Sequence, residues 1–287
     1  MMAVLRGLVG LLAIALVLVF AVAFVSKIQF NQMVKSEVTE LLQSSVASRG
    51  GVVQKADLER LPGPVQKWLE KAQVVGKERI QTVRLKQRGA MRTSPEGAWM
   101  PVEAEQYVTT AQPRFIWKAN VQAAPFISLL GRDKYIDGSG EMVIKLLGLV
   151  PVANARGEEM NQGSMVRFLA EMVWYPSAAL NDYIQWEAVD DHTAKATMRY
   201  GGTTETGLFG FNDNGDVVSF LADRYMEKDG TYSLEKWSIN STEHEEKNGI
   251  RIPNKSSVTW RLSAGDFEWF RLEVIAVEYN AVDGSMQ

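Results

Sequence analysis

The chain has no cysteine and only two histidines, His192 and His244, in 287 residues. The first absence excludes disulfides, thiolate nucleophiles, iron–sulfur clusters and zinc sites built on sulfur. The second excludes a three-histidine metal centre and leaves a histidine-based triad only two candidates. An excess of either charge is missing too. The chain has 31 Lys and Arg against 34 Asp and Glu, a net charge of −3, so a nucleic-acid binder held by phosphate contacts is not expected. No period of 20–50 residues repeats, which argues against a solenoid or propeller. What is present is ordinary globular usage, 46% hydrophobic and 23% charged, and this rules out wholesale disorder.

The most specific signal is an apolar run at residues 7–25, GLVGLLAIALVLVFAVAFV, bracketed by Arg6 and Lys27. As a helix it spans about 28 Å, close to the hydrocarbon thickness of a bilayer. Ala21-Val22-Ala23 has the form of a signal-peptide cleavage site, but the run continues through Phe24 and Val25 and is long for a signal-peptide core. Residues 1–27 are therefore expected to be an uncleaved membrane anchor, with a cleaved signal peptide as the alternative. The main domain is expected outside the cytoplasm, attached to the cytoplasmic membrane by a single pass, or periplasmic or secreted if cleavage occurs. One Arg opposite one Lys gives no orientation by charge bias, and the short N-terminus makes an inside start the default.

Residues 28–55 are expected to form a juxtamembrane helix and linker. Val34, Val38, Leu41, Leu42 and Val46 share a stripe that ends at Arg49-Gly50-Gly51. The stripe suits packing on the domain, or a helical dimerisation stalk. Residues 56–287 read as one domain. Asp57 is placed to cap a short helix that Pro62 stops. Pro64 starts another that buries Val65, Trp68, Leu69 and Ala72. The period then changes to two, with Met100, Val102, Ala104, Gln106 and Val108 on one strand, Phe115, Trp117, Ala119 and Val121 on another, and a further strand at 140–149. Ser164 is expected to cap a helix through Met165, Phe168, Leu169 and Met172, closed by Trp174-Tyr175-Pro176. From Ile184 the pattern predicts strands at 184–189, 194–200, 203–212, 216–226, 234–246, 250–262 and 267–279. Gly201-Gly202, Asp229-Gly230, Asn248-Gly249 and Ala264-Gly265 are among their turns. With three or four earlier strands the total is about ten or eleven, a number that wraps around packed helices or a ligand. The expected class is α+β: a large curved antiparallel sheet, open and barrel-like, with helices on its concave side, behind one transmembrane helix.

Motifs for chemistry are few. Residues 131–141 (GRDKYIDGSGE) lack phosphate-loop and calcium-loop spacing and read as a hairpin. Residues 212–216 lack the downstream glutamate of a calcium loop. His244 lies among Glu243, Glu245 and Glu246 on a strand, where successive side chains point to opposite faces and cannot converge on one ion. No metal, cofactor or catalytic residue is assigned. The suggestive stretch is 168–176, FLAEMVWYP, where Glu171 stands at an apolar helix end. Arg224, in Ala222-Asp223-Arg224-Tyr225, is its expected basic partner. Glu171, Trp174, Tyr175, Arg224 and Tyr225 are the candidate ligand contacts.

Four stretches carry a resemblance: 61–69 (LPGPVQKWL), 131–135 (GRDKY), 147–152 (LGLVPV) and 169–176 (LAEMVWYP). Together they resemble an uncharacterised bacterial family of unknown function, often found behind an N-terminal hydrophobic helix. The likeness covers about 61–280 and implies no activity and no catalytic residues. In layout alone, the strand-rich second half is similar to periplasmic lipoprotein-carrier folds, curved half-barrels with helices plugging an apolar hollow. The expected function is binding of a lipid or other apolar ligand in the envelope, without catalysis. The alternatives are a carboxylate-dependent enzyme using Glu171 or Asp223 as base, and an assembly or scaffold protein. The expected partners are the membrane and an apolar small molecule, with no nucleic acid.

Overall fold

The computed structural model describes residues 2–43 and 50–281. Val46 of the helical stripe, Arg49 of its stop and the last six residues of the outer domain lie outside the described residues. Helix α1 (Met2–Gln43) is followed by a short 3-10 turn (Lys55–Leu58) and α2 (Gly63–Lys71). Six strands come next: β1 (Thr82–Met91), β2 (Met100–Thr109), β3 (Arg114–Ala124), β4 (Ile127–Ile136), β5 (Ser139–Leu146) and β6 (Val150–Arg156). Helix α3 (Glu158–Glu171) and two 3-10 segments (Met172–Trp174 and Pro176–Leu180) interrupt them. Seven more strands complete the chain: β7 (Ile184–Asp190), β8 (Thr193–Tyr200), β9 (Thr203–Phe211), β10 (Val217–Lys228), β11 (Thr231–Lys247), β12 (Ile250–Leu262) and β13 (Gly265–Tyr279). All belong to one 13-stranded sheet in the order β6-β5-β4-β3-β2-β1-β13-β12-β11-β10-β9-β8-β7.

The seven strands after α3 stand where alternation and turn residues put them. Before α3 the sheet has six strands instead of three or four. β6 escapes the alternation rule because it is an edge strand with no buried residue, where Pro151 is tolerated. β1 escapes it because the polar Arg84 and Gln87 are buried among its apolar positions. Two expected caps are also corrected. Ser164 is not at the start of α3, which begins at Glu158 behind Gly157 with φ +115; Ser164 is buried in mid-helix. Asp57 does not precede its short helix but sits at its third position, where its carboxylate accepts the Gln54 backbone N–H at 3.0 Å.

The sheet is curled. Gly138, in the β4–β5 turn, sits so close to the β8–β9 turn that a Cβ on it would lie 2.9 Å from Gly201 Cα. Helix α3 touches β4, β5 and β6 of one half and β8, β9 and β10 of the other. It therefore lies on the concave side, and α2 joins it there. The core forms between them: Phe115, Trp117 and Tyr135 from one half, Phe209, Phe220 and Trp237 from the other. An aromatic chain runs through it, with ring centroids 6.2 Å apart for Trp68 and Phe209, 4.9 Å for Phe209 and Phe220, and 6.1 Å for Phe220 and Trp237.

Helix α1 uses the other face. Phe30, Val34, Val38, Leu41 and Leu42 pack on Tyr107, Ile116 and Leu130. Ile116 alternates with the core residues Phe115 and Trp117, so this cluster lies on the convex side. Ion pairs fasten it there. Glu37 meets Arg132 at 3.2 Å and Lys134 at 2.8 Å, and Arg132 and Arg156 meet Glu141 at 2.7 and 2.8 Å. Burial pushes the Glu141 carboxyl up, but hydrogen bonds from Arg132 and Arg156, helped by the charge of Lys134, win and bring it down to about 2. The first half of α1 has no such cover. Leu8, Leu11, Ile14, Val17, Leu18, Phe20 and Phe24 are each more than half exposed. The helix is long and apolar enough to cross a membrane.

Gly89 of β1 faces Leu272 of β13, and a Cβ there would lie 2.1 Å from the Arg271 carbonyl oxygen. Backbone cannot step aside as a side chain does, so Gly89→Ala is expected to cost about 1–3 kcal/mol. Gly51→Ala, with nothing within 4 Å, is expected to change little. Denaturant midpoints of the two variants check this, and equal midpoints would reject a tight β1–β13 seam.

The lowered Glu141 carboxyl sets a pH dependence. Its contribution is fully present above its ordinary value of 4.5 and is lost as pH falls toward about 2. Wild type is therefore expected to exceed Glu141→Gln in stability above pH 4.5, with the gap closing on acidification. A gap that stays constant in guanidinium titrations down to pH 2 would contradict it.

Candidate functional site

From Gln162 onward α3 is buried almost all round. Such a helix must satisfy its polar side chains inside the protein, because an unpartnered buried polar group costs free energy. Two acidic residues, Glu158 and Glu159, occupy its first turn, where negative charge suits the helix dipole. Pro176 ends the helical stretch beyond the 3-10 turn, with Tyr175 held at φ −137 and ψ 64.

Arg167 is the centre of the polar interior. Its Nε donates to Glu171 Oε1 at 2.7 Å, one helical turn on, and its terminal nitrogen donates to Asp133 Oδ2 of β4 at 2.6 Å. The guanidinium lies 5.0 Å from the Phe115 ring centroid and 4.8 Å from that of Trp117. Gln106 of β2 donates to the second oxygen of Glu171. Burial pushes the Asp133 carboxyl up against the pull of Arg167, Arg224 and Arg132. Glu171 and Asp133 hold Arg167 protonated, raising it against its desolvation.

Across the helix, Arg224 of β10 lies on Gly163. Its Nε donates to the Gly163 carbonyl at 3.1 Å, and its guanidinium stands 4.7 Å from the Trp237 ring centroid. Burial, and then repulsion from Arg167, lower Arg224 to about 10. Gln162 latches the same strand, donating to the Asp223 carbonyl at 2.9 Å and accepting from the Tyr225 N–H at 3.3 Å. The helix–sheet seam also holds polar atoms with no hydrogen-bond partner: Ser164 Oγ, Tyr135 OH and Gln106 Oε1. A small, partly open void of about 20 Å³ adjoins it, lined by Glu171, Trp174, Phe220 and three serines, 219, 241 and 256.

The expected Glu171–Arg224 pair is therefore not formed. Arg167 takes Arg224's place because the i,i+4 spacing brings it to Glu171 on the same helix. Glu171 and Trp174 share the small void. Tyr175 is fully buried, donates to the Phe168 carbonyl at 3.0 Å and belongs to the core. Tyr225 is more than a third exposed and packs edge-on against Tyr232. Arg167, Asp133 and Gln106 were missed. The Arg167–Glu171 spacing was a readable signal, whereas no local pattern marks Asp133 or Gln106.

An open groove of about 480 Å³ lies elsewhere, lined by Asp57, Arg60, Arg79, Asn181 and Asp182. Its carboxylates are engaged, Asp57 by Arg79 at 3.2 Å and Asp182 by Arg60 at 3.9 Å. Asp223 is exposed and paired with Lys236 at 2.8 Å. Among the described residues no group of three His, Asp or Glu side chains is placed to hold a metal ion.

These features define a class: a curled antiparallel sheet closed over one buried helix, carried on a long apolar helix. The chain belongs to a family of unknown function, DUF6544, which matches residues 51–272. No curated protein matches it. Among solved structures it is similar to a DUF1329 family protein from Desulfovibrio piger, with 11% identity and a TM-score of 0.43 over 77% of this chain and 94% of that one. It is also similar to a LolA superfamily protein from Nitrosomonas europaea, with 12% identity and a TM-score of 0.40 over 76% of this chain and 94% of that one.

Removing Arg167 leaves two buried carboxylates facing each other's charge. Arg167→Met is expected to destabilise by about 3–5 kcal/mol. Adding Asp133→Asn and Glu171→Gln should restore part of the loss, since the three residues act as one unit. Strict additivity in denaturant melts would show that the three do not interact.

Proposed function

We propose that the protein is a membrane-anchored, extracytoplasmic binding protein that takes a lipid or other apolar ligand between α3 and the concave face of the sheet. The observation that carries this reading is the seam itself. An aromatic wall is covered by one helix whose contact with it includes Ser164 Oγ, Tyr135 OH and Gln106 Oε1 without partners. Unsatisfied polar atoms lower what this packing surface loses on opening. The void of about 20 Å³ has room for about one water, so α3 must move for a ligand to enter. Apolar ligand surface then contributes about 25 cal/mol per Å² buried, which offsets the opening. Arg224, whose guanidinium bonds a backbone carbonyl instead of a carboxylate, supplies a cation for an anionic head group, with Arg167 beside it.

The absence of native cysteine gives a direct test. A Cβ on Gly163 would stand 3.8 Å from Arg224 Cγ, within reach of a disulfide from Gly163→Cys with Arg224→Cys. Full-length protein in detergent is examined by native mass spectrometry. Wild type is expected to carry adducts of lipid mass, the reduced double variant, which keeps only Arg167 as a cation, to carry fewer, and the oxidised variant to lose them. Wild type without any adduct, or an oxidised form that loads as well as the reduced one, would overturn the reading.

A further inference from the structure

The two turns nearest the end of the apolar run break the local rules that the other hairpins obey. Asp137-Gly138, Asp229-Gly230 and Asn248-Gly249 all place Asp or Asn followed by Gly in the left-handed region. Those residues accept positive φ at least cost. The β3–β4 turn instead holds Phe126 at φ +64 behind Pro125, and the β5–β6 turn holds Leu147 at φ +54 before Gly148. Positive φ is strained for a bulky apolar residue. The strain brings no burial in return at Phe126, which is 83% exposed. Ile127, Leu149, Val150 and Val152 around it are also exposed.

These turns are one surface. The Leu147 N–H donates to the Ser128 carbonyl at 2.8 Å, which ties the two tips together. Residues 119–131 and 146–155, which form both tips and their flanks, contain no charged side chain. The surface also has a fixed position on α1: a Cβ on Gly148 would lie 3.1 Å from the Lys27 backbone nitrogen. Lys27 stands two residues past the end of the apolar run at Val25. The uncovered part of α1 and the uncovered turns are therefore continuous.

We propose that the β3–β4 and β5–β6 turns, through Phe126, Ile127, Leu149, Val150 and Val152, insert into the lipid interface of the membrane that α1 crosses, as a second contact beside the helix. This rests on the anchoring reading of α1. Apolar side chains of this kind gain by leaving water at the boundary between headgroups and acyl chains.

The test uses the full chain in vesicles of phosphatidylcholine and phosphatidylglycerol, with a fluorophore on single sites made by Phe126→Cys, Val150→Cys, Val22→Cys or Ser139→Cys. Ser139 lies at the other end of the β4–β5 hairpin, about 30 Å from Phe126 along the strand. Labels at 126 and 150 are expected to lose emission to a lipid carrying a nitroxide near its glycerol end and to keep it against aqueous iodide. The label at 139 is expected to do the reverse. Iodide quenching at 126 and 150 with lipid quenching at 22 would overturn this proposal and leave the anchor standing. Iodide quenching at 22 would overturn the anchor and the proposal with it. Protection of 126 and 150 from both quenchers would place a second copy of the chain on the turns and would also overturn it.

Discussion

The pairing of β1 with β13 is the constraint on which the architecture depends. Every other neighbour in the sheet is a hairpin partner, whereas this seam joins Val83 to Tyr279 across nearly the whole domain. Without it the chain would form two separate antiparallel sheets, each with two open edges. With it, thirteen strands share one sheet, and twist of about 20–25° per strand accumulates until the sheet cannot stay flat. The curl creates the concave face, brings the Gly138 and Gly201 turns into contact and leaves a space that α3 and α2 fill. Closing such a long loop costs chain entropy before it brings contacts. The seam is accordingly tight: Gly89 lets the two backbones approach where no side chain would fit, and a register shift between Lys86 and Gln87 accommodates the bend.

Strand β4 connects this interior to α1. Its residues alternate between the two faces, and each face is charged where a helix must be held. Arg132 and Lys134 point outward to Glu37 of α1, with Leu130 and Ile136 packing in the same cluster. Asp133 and Tyr135 point inward, Asp133 to Arg167 of α3. A slip of one residue would send Arg132 and Lys134 inward, away from Glu37, and Asp133 outward, away from Arg167. The opposed charges therefore specify register more firmly than the apolar residues alone. This is the kind of specificity that buried ion pairs supply even when their net stabilisation is modest.

Most of the fold was legible because it is written in local signals. The apolar run, the long strands of the second half and their Asn-Gly and Asp-Gly turns each announce themselves over a few residues. What was not legible came from distance. β6 is an edge with nothing to bury. β1 carries buried polar groups whose partners lie on other strands, such as Gln87, which accepts from Trp117 Nε1 at 2.9 Å. The same divide runs through the candidate site. Glu171 stood out as a carboxylate in apolar company, but its partner was assigned to Arg224 on a remote strand while Arg167 waited one turn away. Asp133 reaches the cluster only because β4 lies beneath α3, and nothing in 131–135 records that.

Under the proposed function, the course of α1 bears on how ligand would reach the concave face. From residue 11 to residue 43 it contains neither glycine nor proline, so it has none of the usual causes of a kink. Its last sixteen residues, about 24 Å of helix, lie on the sheet and are pinned to it by Glu37. There is no tether between the apolar run and the domain. A domain on a flexible linker can search a volume, whereas one fused to its span keeps one height and one orientation relative to whatever surface that span occupies. Under the proposed function, exchange of an apolar ligand would then take place with the adjoining membrane or with a partner that comes to it. The polar pins on both sides of β4 suit that arrangement, because a fixed station has to keep its helix and its sheet in one geometry while only α3 moves.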